Sequence, residues 1–527
     1  MYTGAKSATS NRQCIWISAV LGVILIGSFF INCWCNDFQL WLNPDEIKKV
    51  LFISGDKKAD FYHPQLILKL GRLFADIASA SSQQDVVQAG RLSTALLGSF
   101  AVLFTFGLAR QFLSAPASLL AASLTTVSPG IVIHSHYLKE DIALTCFATA
   151  SLRLAIVTAK ESAGDRDSSS KTSDSNIPVL WGLVTGLAIA SKYTAFLLFP
   201  FYFFLPWLIR KIHRKTFHKK LIISGSIAAI IFLLINNQLF VDFKTFVAGA
   251  EAELNHVIGG HGGIKIYPWH NLSHLTKNLP DSIGPLTLIL GLLGMSGEIL
   301  RWRRVDISRR TAFYFTIYFY IILECLPLKP PPGEARYVLP LIPPLTCFAG
   351  SVVSELSKWL KSRSNFSLSI AISLSVATLM PSLSRSLELN QYLRDDVRTR
   401  IPAEIATYLK PIATDTMGSA NYTGYDFLED SVKAEISRSN IIFDEIEKNI
   451  SLESQDKICT FITSSFIYDR YLRASQFSGQ GELVYKKNHF YQSLFDRPYK
   501  DINPKEPSYS FVNPTLRVIN LCLPKAD

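Results

Sequence analysis

A series of apolar runs separated by short basic clusters limits the fold more than any other feature of this chain. The runs are Ile15–Ile31, Leu92–Ala109, Ala115–Ile133, Ile142–Ala159, Pro178–Ile209, Leu221–Phe240, Ile283–Leu300, Thr311–Leu326, Tyr337–Val353 and Phe366–Met380. A helix needs about 20 apolar residues to cross a bilayer. In lipid every backbone polar group must be satisfied within the segment, so these runs are read as α-helices. Charged residues make up only 18% of the chain, against about 25% in soluble domains. Ile15–Ile31 is long for a signal-peptide core and reads as a retained span.

The basic residues set the orientation. Net charge is +11, but the excess clusters between apolar runs, as in Arg210–Lys220 and Arg301–Arg310, with Lys358, Lys361 and Arg363 in a third group. It is therefore read as an orientation signal and lipid contact, and no nucleic-acid partner is expected. All three groups fall inside only if Pro178–Ile209 makes two passes. That run is about 48 Å long as a helix, short of the roughly 60 Å that two crossings need. The hairpin apex near Ser191-Lys192-Tyr193 then lies below the outer surface, with Lys192 buried in protein or facing a wet cavity. The expected architecture is an α-helical polytopic membrane domain, residues 1–383, with about 11 transmembrane helices. Residues 36–90 and 241–282 form outer loops, and residues 384–527 form an extracytoplasmic C-terminal α/β domain. Strands are expected at Ile458–Thr463 and Leu516–Leu521, and helices at Ile401–Leu409 and Ile441–Ile450. Leu66, Ile67, Leu70, Leu73, Phe74 and Ile77 recur at helical spacing, which suits a helix lying in the interface. The eight cysteines show no metal-like spacing; a Cys459–Cys522 disulfide is open if that part is extracytoplasmic.

The chemistry is sought at the outer mouth. Asn43-Pro44-Asp45-Glu46 has the local look of a helix start, with Asn43 as cap, Pro44 in the first turn and Glu46 at the capping-box position. A second acidic pair, Glu140 and Asp141, also opens a helix, where acids are favoured for local reasons. Two such pairs on one face are harder to dismiss. Arg91, Lys139, Lys192, Lys329 and Arg336 fall on the side that the positive-inside rule depletes, which suggests an anionic ligand, phosphate above all. His63 and His136 are candidates for acceptor or cation contacts, and His261, in Gly259-Gly260-His261-Gly262-Gly263, for a loop over the site. No standard zinc spacing is present, so the metal stays unknown and a divalent cation possible.

Six segments in order resemble the GT-C superfamily of polytopic glycosyltransferases, nearest to the protein O-mannosyltransferases and the lipid A aminoarabinose transferases. They are Asn43-Pro44-Asp45-Glu46, Tyr62-His63-Pro64-Gln65-Leu66, Gly90-Arg91-Leu92-Ser93, His136-Tyr137-Leu138-Lys139-Glu140-Asp141, the run Gly182 to Tyr193, and Arg336-Tyr337-Val338-Leu339-Pro340. Pro64-Gln65 stands where the family has Pro-Pro, and the C-terminal part is not the mannosyltransferase sugar-binding module. The resemblance implies a polyprenyl-phosphate-linked sugar as donor and inverting transfer to a protein, lipid or glycan acceptor. It implies Asp45 as general base, with Glu46 as substitute or cap. It assigns Lys192 and Arg336, with Arg91, to the donor phosphate, and Glu140 and Asp141 to the acceptor or a cation. With the compact loops it points to a bacterial inner membrane, the C-terminus outside. A multi-pass transporter or lipid flippase is the alternative. The ionisable residues, however, gather at one rim and no internal repeat is visible. A non-catalytic assembly protein is a third reading, but it leaves the two acidic pairs without a use.

Overall fold

A computed structural model describes residues 3–164 and 176–399, apart from stretches within 260–271, 302–304, 328–333 and 362–366. In the C-terminal part it describes 417–419, 442–443, 460–474, 481–502, 509–510 and 512–520. Cys459 and Cys522, whose pairing the sequence leaves open, His261 and most of the two C-terminal segments expected to be helical lie outside the described residues.

The helices follow the apolar runs, and their breaks follow proline and buried charge. In chain order they are α1 (Thr3–Cys33), α2 (Pro44–Ser54), α3 (Leu66–Ile77), α4 (Gln83–Ala109), α5 (Ala115–Thr126), α6 (Pro129–His136), α7 (Glu140–Ser162), α8 (Ile177–Ser191) and α9 (Leu198–Leu208). Then come α10 (Arg214–Ile235), α11 (Phe243–Gly259), α12 (Leu279–Ile283), α13 (Pro285–Leu300), α14 (Ile307–Cys325), α15 (Ile342–Lys361) and α16 (Ser367–Arg394). The expected interfacial helix is α3. It buries Leu66, Ile67, Gly71 and Ala75 and leaves Leu73 and Ile77 exposed. One expected span is split into α5 and α6, bent by 52°, because Pro129 has no N–H to continue α5.

Five described helices are long and apolar enough to cross a membrane, or seven if each of two bent pairs is one span. The expected eleven included helices that fail that measure. α8 and α9 are short, and α14 carries Arg309, Arg310 and Glu324. The chain is an integral, multi-pass membrane protein of mainly helical build. The run Pro178–Ile209 does break where the hairpin was expected. α8 ends at Ser191, Lys192 is extended (φ −153°, ψ 134°), and a 3₁₀ turn, Tyr193–Leu197, leads into α9.

Helix contact relies on small residues, which let backbones approach when lipid gives no hydrophobic drive. A Cβ on Gly186 of α8 would stand 2.7 Å from Ile231 Cβ and 2.8 Å from the Ala228 carbonyl oxygen of α10. A Cβ on Gly294 of α13 would stand 2.4 Å from the Phe348 carbonyl oxygen of α15.

α7 separates two polar ends. Its first residues, Glu140 and Asp141, lie in the acidic and basic cluster described below. Near its last turn Lys160 donates to the Gln111 carbonyl and Glu161 pairs with Lys220 at 2.5 Å. Arg309 reaches Glu298 at 2.6 Å and the Phe112 carbonyl at that same end. About 30 Å of helix lies between them.

The C-terminal part is α/β, as expected. Its strands are β1 (Met417–Ser419), β2 (Ile442–Phe443), β3 (Thr460–Ser464), β4 (Tyr499–Ile502) and β5 (Leu516–Asn520), in the order β2-β1-β3-β5-β4. β1 runs parallel to β2 and β3, and β5 antiparallel to β3 and β4. Helices α17 (Ser465–Ala474) and α18 (Glu482–Phe495) pack on it around Phe461, Tyr491 and Ile519. Ile442 and Phe443 were expected in a helix and instead form strand β2; two adjacent β-formers suit pairing with β1 better than a helix interior. α16 runs past residue 384, where the C-terminal domain was expected to start.

Gly186→Val tests the α8–α10 contact. It should force the two backbones apart and cost about 1–3 kcal/mol, read as a lower unfolding temperature of the purified protein. Gly297→Val, where nothing lies within 4 Å of an added Cβ, should leave that temperature nearly unchanged.

Candidate active site

α2 begins as the sequence suggested. Asn43 Oδ1 accepts the Asp45 N–H at 3.2 Å, and Gly55 closes the helix in the left-handed region (φ 85°). Glu46, however, is not part of a capping box. Its carboxylate is buried and accepts from Arg91 Nε at 3.1 Å, Arg91 Nη2 at 2.6 Å and the Leu138 N–H at 2.6 Å. Arg91 Nη1 donates to the Asn36 and Phe38 carbonyls, and the guanidinium lies 3.4 Å from the Phe38 ring centroid. Arg91, expected at the donor phosphate, is thus taken up in joining α2 to α4. Glu46, the expected substitute base, is the other half of that joint.

Asp45 points the other way. Its Oδ2 is 2.5 Å from Lys139 Nζ and 3.3 Å from Arg336 Nη1. Lys139 is buried in the turn before α7, and Arg336 lies in a 3₁₀ segment, Glu334–Leu341. One helical turn on from Asp45, Lys49 pairs with Glu140 at 2.8 Å, and His63 Nε2 lies 3.1 Å from the same carboxylate. Asp141 pairs with Lys192 at 2.5 Å. The Tyr337 ring has Lys192 Nζ 5.1 Å and the Arg336 guanidinium 5.6 Å from its centroid. Five segments that are far apart in sequence therefore converge on one cluster.

Of the four acids singled out in the sequence, Asp45 alone is accessible. Its side chain is 43% exposed, against 0% for Glu46 and 2% for Glu140 and Asp141. It lines a cavity of about 160 Å³ with Lys49, Phe52, Phe61, Tyr62, His63 and Glu140. Its partial desolvation favours the neutral form of Asp45, but the Lys139 and Arg336 charges outweigh it and hold the carboxyl well below the usual range. Burial lowers Lys139 to about 8, helped by the Arg336 charge and opposed by Asp45. Burial also lowers His63, to about 3, against the pull of Glu140, so its imidazole is neutral at pH 7.

Several participants were not singled out as site residues. Lys49 follows Asp45 by four residues, a spacing that puts both on one helix face. Glu253 of α11 is buried, and its Oε1 lies 4.0 Å from His63 Nδ1. Only the tertiary fold brings α11 there, with Gly249 against the backbone of Asp60 and Phe61. His134 is buried near Asp141, and neither ring nitrogen has a hydrogen-bond partner among the described residues. His136, expected in the site with His63, instead faces the Val132 and Trp34 carbonyls, each at 2.8 Å, and ties α6 to the residue after α1. No group of three or more His, Cys, Asp or Glu side chains among the described residues is placed to hold a metal ion.

The Glu46–Arg91 joint should behave as a structural element. Arg91→Met leaves a buried carboxylate unpaired, a loss of about 3–5 kcal/mol. Thermal unfolding should show that drop, and Arg91→Met/Glu46→Leu should recover part of it. No such recovery would mean that Arg91 serves another purpose.

The sequence pattern of the family described as dolichyl-phosphate-mannose-protein mannosyltransferase matches residues 63–240. This stretch carries His63, Lys139, Glu140, Asp141 and Lys192. No curated protein matches the chain in sequence. Among solved structures, the oligosaccharyltransferase AglB of Archaeoglobus fulgidus, in complex with an inhibitory peptide and a dolichol-phosphate, superposes with a TM-score of 0.56 at 13% identity, over 93% of this chain and 80% of that one. The Archaeoglobus fulgidus enzyme tethered to an acceptor peptide with the NVT sequon gives 0.56 at 12% identity, over 93% and 73%. ArnT of Cupriavidus metallidurans bound to undecaprenyl phosphate gives 0.47 at 13%, over 97% and 99%. The GT-C architecture expected from the sequence is borne out: the chain has the fold of these structures, and residues 63–240 carry the mannosyltransferase pattern.

Proposed function

We propose that the protein transfers a sugar from a polyprenyl-phosphate donor to a hydroxyl of a protein, lipid or glycan acceptor, with inversion at the anomeric carbon. The reading rests above all on one observation. Asp45 is the accessible carboxylate of the cluster, at the edge of a cavity and beside buried cations. The GT-C fold, the mannosyltransferase pattern over residues 63–240 and the dolichol-phosphate of the oligosaccharyltransferase support a lipid-phosphate donor, and with it a transferase over a transporter.

In this reading the acceptor O–H gives its proton to Asp45, and its oxygen attacks the anomeric carbon from the face opposite the lipid phosphate. The bond from that carbon to the phosphate oxygen breaks, and the electron pair stays on the phosphate. Arg336 and Lys192 stabilise that charge. A phosphate leaves without protonation, so no second acid is required of the site. Glu140, held by Lys49 and His63, shapes the acceptor side of the cavity, and Asp141 holds Lys192 in place. The cluster lies at the end of α7 opposite the basic loops, which by the positive-inside rule supports an outer position for it and for the C-terminal domain, and the family likeness with the compact loops favours a bacterial inner membrane.

Asp45→Asn should lower kcat by about 10²- to 10⁴-fold, the range for loss of a general base, in an assay with labelled polyprenyl-phosphate sugars. A rate equal to wild type would remove Asp45 from the mechanism. The pH profile gives a second test. Lys139 loses its charge as pH rises through about 8, so kcat/KM for the donor should fall on the alkaline side there. Lys139→Arg keeps the charge and should move that limb up by about one pH unit or more. His63, neutral above about 3, should contribute no inflection near neutrality.

A further inference from the structure

The proposed base and the proposed phosphate site are bound to each other at rest. Asp45 Oδ2 takes hydrogen bonds from both Lys139 and Arg336. A carboxylate engaged by an ammonium and a guanidinium is a poor proton acceptor, because both cations stabilise its charged form. Something must remove it from them before an acceptor can use it.

The carboxylate is the movable partner. Lys139 is buried, its N–H donates to the Tyr137 carbonyl at 2.7 Å, and the neighbouring Leu138 N–H is fixed by Glu46. Arg336 sits beside the buried Ala335, Val338 and Leu339. Asp45 is a short side chain in the first turn of α2, half open to the cavity. Rotation about its side-chain bonds frees it without moving the backbone.

We propose that the phosphate of the donor displaces the Asp45 carboxylate from Lys139 and Arg336, so that the base is released only when a donor is seated. The inference rests on the transferase reading and adds Lys139 to the phosphate contacts. The charges balance at each step. The donor phosphodiester brings one negative charge to the place the carboxylate vacates. When the acceptor proton passes to Asp45 and the sugar–phosphate bond breaks, Asp45 becomes neutral as the phosphate gains its second charge. Departure of the lipid phosphate and of the proton lets Asp45 return to the cations. Donor therefore binds before acceptor.

The test is titration of undecaprenyl phosphate, with no sugar attached, into the full-length protein in lipid nanodiscs. Asp45→Asn removes the competing charge and should bind the lipid about tenfold more tightly than wild type or better, although transfer is lost. Lys139→Gln should bind it about tenfold more weakly, and the double variant should lose the gain of Asp45→Asn. If Lys139→Gln does not fold, as judged by thermal unfolding, Arg336→Gln takes its place. Unchanged or weaker binding by Asp45→Asn, with weaker binding by Lys139→Gln, would overturn the displacement and leave the transferase reading standing. Wild-type binding by Lys139→Gln, Arg336→Gln and Lys192→Gln alike would overturn the phosphate site itself.

Discussion

The buried pair of Glu46 and Arg91 is the constraint on which the site depends. Two charges removed from water are costly unless every donor and acceptor is satisfied. Here the guanidinium meets one carboxylate and two backbone carbonyls, and the carboxylate also takes the Leu138 N–H. The pair thus locks α2 to α4 and to the turn that carries Lys139. With Glu46 facing inward, Asp45, the preceding residue, is turned about 100° around the helix and faces the cavity. The direction of the candidate base follows from the burial of its neighbour.

A second layer of polar contacts reaches the start of α2 from the C-terminal part. Arg398 and Asp396 form a buried pair, and Arg398 Nη1 donates to the Leu42 carbonyl at 2.9 Å. Asp396 also accepts the Asn513 N–H, and Asn513 accepts the Val397 N–H. Tyr509 and Ser282 hydroxyls meet at 2.9 Å. Phe38, Leu42, Tyr137, Leu389, Leu393 and Val512 fill the space between. The C-terminal domain is therefore packed on the chain just before the Asn43 cap, where its contacts bear on the placement of α2.

The cluster itself is a set of paired charges rather than a bare basic patch. Lys139 and Arg336 share Asp45, Lys49 holds Glu140, and Lys192 holds Asp141. Such a set can be formed in a buried setting because no charge stands alone. It also makes the site responsive to an incoming anion, which must compete with a carboxylate for its cations.

The sequence by itself determined the helical membrane architecture, the amphipathic helix α3, the break at Lys192 and two of the C-terminal strands. These are local matters. Apolar length, helical spacing, proline and runs of β-formers act within a few residues. Asp45, Glu140, Asp141, Lys192 and Arg336 were legible too, because charge near an apolar run is anomalous wherever it occurs. Which of two adjacent acids faces the cavity was not legible, since Asp45 and Glu46 are equivalent in composition and differ only by their angle around α2. The tertiary structure alone decided that Glu46 takes up Arg91 and that two backbone carbonyls face His136, that Lys49 and Glu253 join the cluster, and that β2 is a strand. Each of those outcomes depends on partners tens or hundreds of residues away, and pairing over such distances is set by packing rather than by local pattern.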